Sequence, residues 1–229
     1  MWKITRRMRQ VHNVLALVVG AQITLWVLSG LFFTLFPIEQ VRGEHLRAPT
    51  ETVLPPSGVY VPVESVAGGA TRVTLRPWQG RAVYAVEDAD GTRMLDAATG
   101  DALSPLDAAA ARAVAETAWA GNGAVDRAVR IEQAPAESGR AGRPMWRVDF
   151  AGPDRATFWI TPDTGEVRAV RTGLWRSYDL LWGLHIMDWS ARETFTTWWI
   201  KATAFGALVM TLAGIWLLVV RLSAGRLLR

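Results

Sequence analysis

Apolar residues gather near the two ends of the chain, while the middle alternates between apolar and polar. No charged residue occurs between Arg9 and Glu39, and positions 14–36 read VLALVVGAQITLWVLSGLFFTLF. A helix rises about 1.5 Å per residue, so about 20 apolar residues cross a hydrocarbon core. This stretch is long enough to span with some tilt. A second apolar stretch runs from about Trp198 to Val220, with no charge between Lys201 and Arg221. Lys201 lies near enough to its end to snorkel toward lipid headgroups. The first stretch exceeds a signal-peptide core, and Leu35-Phe36-Pro37 offers no small-residue cleavage site, so it is read as retained.

Between Pro37 and Thr197 short alternating runs are broken by Gly, Asp and Pro. Thr71–Arg76 and Ala82–Val86 alternate as half-buried strands do, and Asp88 to Gly91 is a hairpin signal. Met94-Leu95-Asp96 leads into a turn, Asp96-Ala-Ala-Thr99-Gly100-Asp101, and a brief strand. The same order recurs. Val129–Glu132, Met145–Phe150 and Ala156–Ile160 read as strands, Gly152-Pro-Asp as a turn, and Pro162-Asp-Thr164-Gly165-Glu166 matches Thr99-Gly100-Asp101. A helix precedes each set: Leu106–Trp119, with Gly121 as its stop, and a short one from Pro62. The pattern predicts an α+β domain made of a unit repeated at about 65 residues. The T-G turns need no functional reading, because Gly supplies positive φ while Asp and Thr bond locally.

Charge sets the orientation. Lys3, Arg6, Arg7 and Arg9 precede the first span, and Arg221, Arg226 and Arg229 follow the second, which predicts both termini in the cytoplasm. The same arginines account for most of the excess behind a sequence pI near 10.1, so the basicity is not a nucleic-acid signal. The absence of cysteine excludes disulfides, thiolate metal sites, iron–sulfur clusters and covalent haem attachment. No serine carries a recognisable His and acid context, and no phosphate loop or dinucleotide fingerprint occurs.

The helix, antiparallel strands and D-x-x-T-G-type turns resemble PepSY domains, and the flanks resemble PepSY-associated transmembrane proteins of the bacterial inner membrane. The residues that carry the likeness are Arg6–His12 before the first span, Leu28-Ser-Gly30-Leu-Phe within it, Val41-Arg-Gly-Glu-His45-Leu after it, and Leu184-His185-Ile-Met187-Asp188-Trp before the second. The likeness covers nearly the whole chain. It implies two transmembrane helices flanking an extracytoplasmic tandem PepSY-like domain. The expected limits are a cytoplasmic N-terminus 1–10, helices 11–36 and 196–220, a linker 37–58, repeat units 59–105 and 106–172, an interfacial aromatic helix 173–192 and a cytoplasmic C-terminus 221–229. Larger relatives have four or more spans, and some act as haem-containing reductases in siderophore-iron uptake. This chain has two.

Three histidines are the candidates for chemistry near neutral pH. His12 lies at the cytoplasmic mouth of the first span; larger relatives can pair a histidine here with another to hold haem b, but the second span offers no such partner. Trp175, Tyr178, Trp182, His185 and Trp189 are spaced 3, 4, 3 and 4, one face of a helix. That face suits lipid headgroups or a partner protein. It also suits a porphyrin, with His45 and His185 as axial ligands of haem b. Both readings stay open, beside one in which the two histidines only bond structurally. Asp179, Asp188, Arg192 and Glu193 read as surface or docking contacts. Small residues at matched depth, Gly30 with Ala202 and Gly206, and Ala16 and Gly20 with Ala213 and Gly214, predict close helix packing. Gln22 and Thr24 lie mid-membrane, where a polar group needs a partner such as a second subunit. The expected function is non-enzymatic: an anchored protein that presents a periplasmic domain to a membrane or periplasmic partner, as an accessory subunit in an iron-uptake or redox complex. A b-haem electron-transfer subunit and a regulator of an extracytoplasmic peptidase are the alternatives.

Overall fold

The computed structural model describes residues 2–50, 53–55 and 58–224; Arg226 and Arg229 of the expected C-terminal anchor lie outside them. The chain is α+β and divides into two compact units, one of Met1–Pro37 with Ser177–Arg229 and one of Ile38–Arg176.

The first unit is helical. The first helix, α1 (Trp2–Leu35), and the last, α5 (Trp198–Ser223), are each long and apolar enough to cross a membrane. They pack on each other, burying Val19 and Ala213, yet leave most apolar side chains outward, such as Leu17 at 78% and Phe205 at 68% exposure. A helix at the core of a water-soluble fold would hide those groups. The registration differs from the expected one. A Cβ on Gly206 would stand 3.4 Å from Val19 Cγ2, and one on Gly214 would stand 3.4 Å from His12, whereas Gly20 and Gly30 face open space. The small residues of α5 are used and the glycines of α1 are not. The Ser177–His185 part of α4 (Gly173–His185) packs on the C-terminal third of α1: Phe33 meets Tyr178 at 4.5 Å between ring centroids, and Trp26 Nε1 donates to His185 O at 2.7 Å. The chain then turns into α5. Its N-cap is Thr197, whose Oγ1 accepts from Ile200 N and donates to Met187 O.

The second unit holds two antiparallel meanders. β1 (Arg72–Trp78), β2 (Arg81–Asp88) and β3 (Gly91–Asp96) form one sheet in chain order; β4 (Val125–Ile131), β5 (Met145–Phe150), β6 (Thr157–Ile160) and β7 (Val167–Arg171) form the other. The β1–β2 connection is Gln79-Gly80, both at positive φ, as a two-residue hairpin turn that follows strand twist requires. The helix expected from Pro62 shrinks to a 3-10 turn, Val63–Ser65, and the brief strand after Gly100 to a single bridge between Leu95 and Ala102. α3 (Ala108–Ala118) is capped by Asp107, whose side chain accepts from Ala110 N at 2.7 Å, and turns Ala111, Val114 and Ala115 inward.

One core joins the two sheets. Val83 and Met94 from the first sheet pack with Trp146, Val148, Phe150, Phe158 and Ile160 from the second, under α3. Full burial of a side chain such as Phe158 stabilises by about 1.5–3 kcal/mol. The opposite face of the first sheet is covered by Tyr60, Val61 and Val66, and that of the second by the β4–β5 connection through Ala134. Part of the expected linker belongs to this core. After α2 (Ile38–Val41) and a 3-10 turn (Glu44–Leu46), Leu46 is 4% exposed, and the strand-like stretch beyond it pairs with the end of α3: Ala48 N donates to Ala118 O and Ala120 N to Leu46 O.

Candidate functional site

Two places gather polar side chains. The first is the aromatic end of the helical unit. Its stripe is divided among several neighbours. Tyr178, Trp182 and His185 lie against Phe33 of α1, with ring centroids 4.5, 6.0 and 5.4 Å away. Trp175 instead receives the Arg171 guanidinium over its ring at 4.1 Å, within the other unit. Trp189, beyond the helix, is 61% exposed.

Ser29 Oγ lies 2.7 Å from both Leu25 O and His185 Nδ1, a hydrogen bond in each case. Trp26, Phe33 and Trp182 surround the imidazole with ring centroids 6.5, 5.4 and 6.5 Å away, Trp182 being stacked parallel to it. His45 belongs to the other unit; it is exposed on the Glu44–Leu46 turn, and its ring makes no hydrogen bond among the described residues. The hydrogen bond with Ser29 and the ring contact with Phe33 fasten His185, and with it the end of α4, to α1.

The charged residues after α4 organise the turn into α5. Asp188 is buried, and its carboxylate accepts from the backbone N–H groups of Ala191, Glu193 and Thr194. Burial alone would raise its pKa, but donation from Thr194, Glu193, Ala191 and Arg192 outweighs that and holds it below the usual carboxylate value. Arg192 pairs with Asp179 and lies over Gly183. Within α1, Thr24 Oγ1 donates to Gly20 O, while Gln22 Nε2 is buried with no partner among the described residues.

The second place was not visible as a motif. Where the two sheets meet, a cleft of about 320 Å³ opens between the end of β1, the second T-G turn, α3 and the stretch after Leu46. Arg47 Nη2 donates across it to Val167 O at 2.7 Å, and Arg76 Nη2 donates to Thr164 O at 2.6 Å. Val114, Ala118, Pro77 and Trp78 form apolar walls. Two guanidiniums against the Glu166 carboxylate leave one positive charge unbalanced among the lining residues. Neither arginine has a carboxylate within ion-pair distance among the described residues, and Glu166 itself lies 3.8 Å from Arg168. Desolvation lowers the pKa of both arginines, partly offset by Glu166 and, for Arg47, also by Glu44. Arginine stays protonated at neutral pH regardless.

The T-G turn thus builds one wall. Gly165 has φ +63, and a Cβ there would stand 2.6 Å from Trp78 Nε1. Only a residue without a side chain lets the indole lie this close. The signal available in the sequence was an arginine at the end of a strand followed by Pro77-Trp78; nothing local pointed it toward a turn 88 positions away. Among the described residues no group of three or more His, Cys, Asp or Glu side chains could hold a metal ion. No protein-family model, no curated protein and no solved structure matches the chain.

Proposed function

We propose that this is a non-enzymatic, membrane-anchored protein of PepSY type that presents its α+β unit in the bacterial periplasm to a membrane or periplasmic partner. The observation that carries the reading is the pair α1 and α5: packed on each other yet apolar and exposed along their lengths, with a separately folded α+β unit inserted between them. Water would penalise that surface by roughly 25 cal/mol per Å² of apolar area, and lipid would not.

Tandem duplication is supported by register. Leu95 bridges Ala102 as Ile160 pairs with Val167, each residue 65 positions on. Gly100 N donates to Asp96 O and Asp96 N to Asp101 O, and the same two bonds recur from Gly165 to Thr161 and from Thr161 to Glu166 at the same offset. A role as accessory subunit of an iron-uptake or redox complex follows from the family resemblance. The contacts of His185 with Ser29 and Phe33 support a part in shaping a docking surface.

A photo-activated cross-linker in place of Trp189 tests the docking. In membranes of an expressing strain it should give one adduct of defined size, reduced several-fold by His185→Ala, which frees the end of α4 that leads to Trp189. Lipid adducts alone at Trp189, with the domain surface equally silent, would sink the partner reading.

A further inference from the structure

The cleft in the α+β unit has the properties of a binding site. Its volume, about 320 Å³, is at the small end of the range for ligand pockets, roughly 300–1,000 Å³. Arg47 and Arg76 reach it from different parts of the chain, and each spends one Nη2 donor on a backbone carbonyl. Those bonds, and a second from Arg76 Nη2 to Met94 Sδ at 3.1 Å, orient the planar forks and leave the Nε and Nη1 donors of both without a hydrogen bond among the described residues. A guanidinium so held is pre-organised for a carboxylate, which matches its fork bidentately. Charge limits the ligand further. With Glu166 on the rim one positive charge is in excess among the lining residues, which a single carboxylate would neutralise. The walls Pro77, Val114 and Ala118 offer an apolar lodging beside the charges.

We infer that this cleft binds a single carboxylate attached to a short apolar body, the carboxylate between Arg47 and Arg76 and the body against Val114 and Ala118. Such a group could be a free small acid or the C-terminal residue of a peptide chain. The inference goes beyond the anchoring role and stands whether or not Trp189 touches a partner, because every lining residue lies within Ile38–Arg176.

The full chain in detergent, labelled with ¹⁵N at its tryptophan indoles, carries the reporter. Trp78 lines the cleft, and Trp78→Phe identifies its resonance. N-acetyl-leucine should shift that resonance saturably, and N-acetyl-leucinamide, which lacks the carboxylate, should bind roughly tenfold more weakly. Arg76→Gln and Arg47→Gln should each weaken the acid without changing the amide. Glu166→Gln should tighten the acid several-fold, an effect that damage to the fold would not produce. N-acetyl-Ala-Ala-Leu binding more tightly than N-acetyl-leucine marks a chain terminus as the source; weaker binding marks a free acid. Equal shifts with acid and amide, no shift with the acid, or Glu166→Gln weakening the acid would overturn the inference. These outcomes are independent of cross-linking at Trp189, so either reading can fail alone.

Discussion

Gly100 and Gly165 occupy corresponding places in two turns with the same backbone hydrogen bonds, yet their surroundings differ. Gly100 has φ +81 and only Val61 at 3.9 Å from its would-be Cβ; Gly165 has φ +63 with the Trp78 indole at 2.6 Å. An L residue in the left-handed region costs about 1–2 kcal/mol at either site. At Gly165 the new methyl must also displace Trp78. Gly165→Ala should therefore lower the urea midpoint of the domain more than Gly100→Ala, and only Gly165→Ala should alter Trp78 fluorescence. Equal losses would mean that the indole moves aside freely and the turn does not shape the cleft.

At the level of elements, the stretch after α1 behaves as an additional edge of the domain. Ala48 and Leu46 bond to the backbone around the end of α3, and Leu46 is buried in the core that joins the sheets. The strand pattern alone places the start of the domain near Val59. A fragment of residues 59–172 would lack Leu46 and its two pairing bonds, losing about 1.5–3 kcal/mol of side-chain burial in addition to the hydrogen bonds. A fragment of residues 38–176 should unfold cooperatively in urea at a clearly higher midpoint than one of 59–172. Matching midpoints would show that the stretch is a tether without energetic weight.

For the whole molecule the decisive expectation is topological. Positive charges flank the outer ends of both apolar helices, and the inserted unit carries both signs, so both termini should face the cytoplasm and the domain should be exported. Alkaline phosphatase joined at Gly100 should be active, and joined after Arg229 inactive. Activity at both positions would break the two-span arrangement and with it the periplasmic placement of the cleft.

Alternation in Ala82–Val86 and Met145–Phe150, the charge-free runs at either end and the T-G turns were legible because each depends on neighbours a few residues apart. The strand over Ala82–Val86 was expected to be half-buried, yet Ala82, Val83, Tyr84 and Val86 are all buried because both of its faces are covered; a run of 20 apolar residues demands lipid or a core. The helix foreseen over Leu106–Trp119 followed in the same way from its alanines and the Gly121 stop, and the structure holds it to Ala108–Ala118. What only the tertiary structure decided depends on surfaces far apart in the chain. The spacing of Tyr178, Trp182 and His185 defined a helix face, but their packing on Phe33 and Ser29 decided that the face is covered within the chain. The packing of α5 on α1 likewise set their register, so His12 and Val19 meet the glycines of α5 in place of Gly20 and Gly30. Arg47, Arg76 and Glu166 belong to three separate segments, each unremarkable alone. They become a charged cleft because the two sheets share one core, and a shared core is a property of how whole surfaces fit rather than of any local pattern.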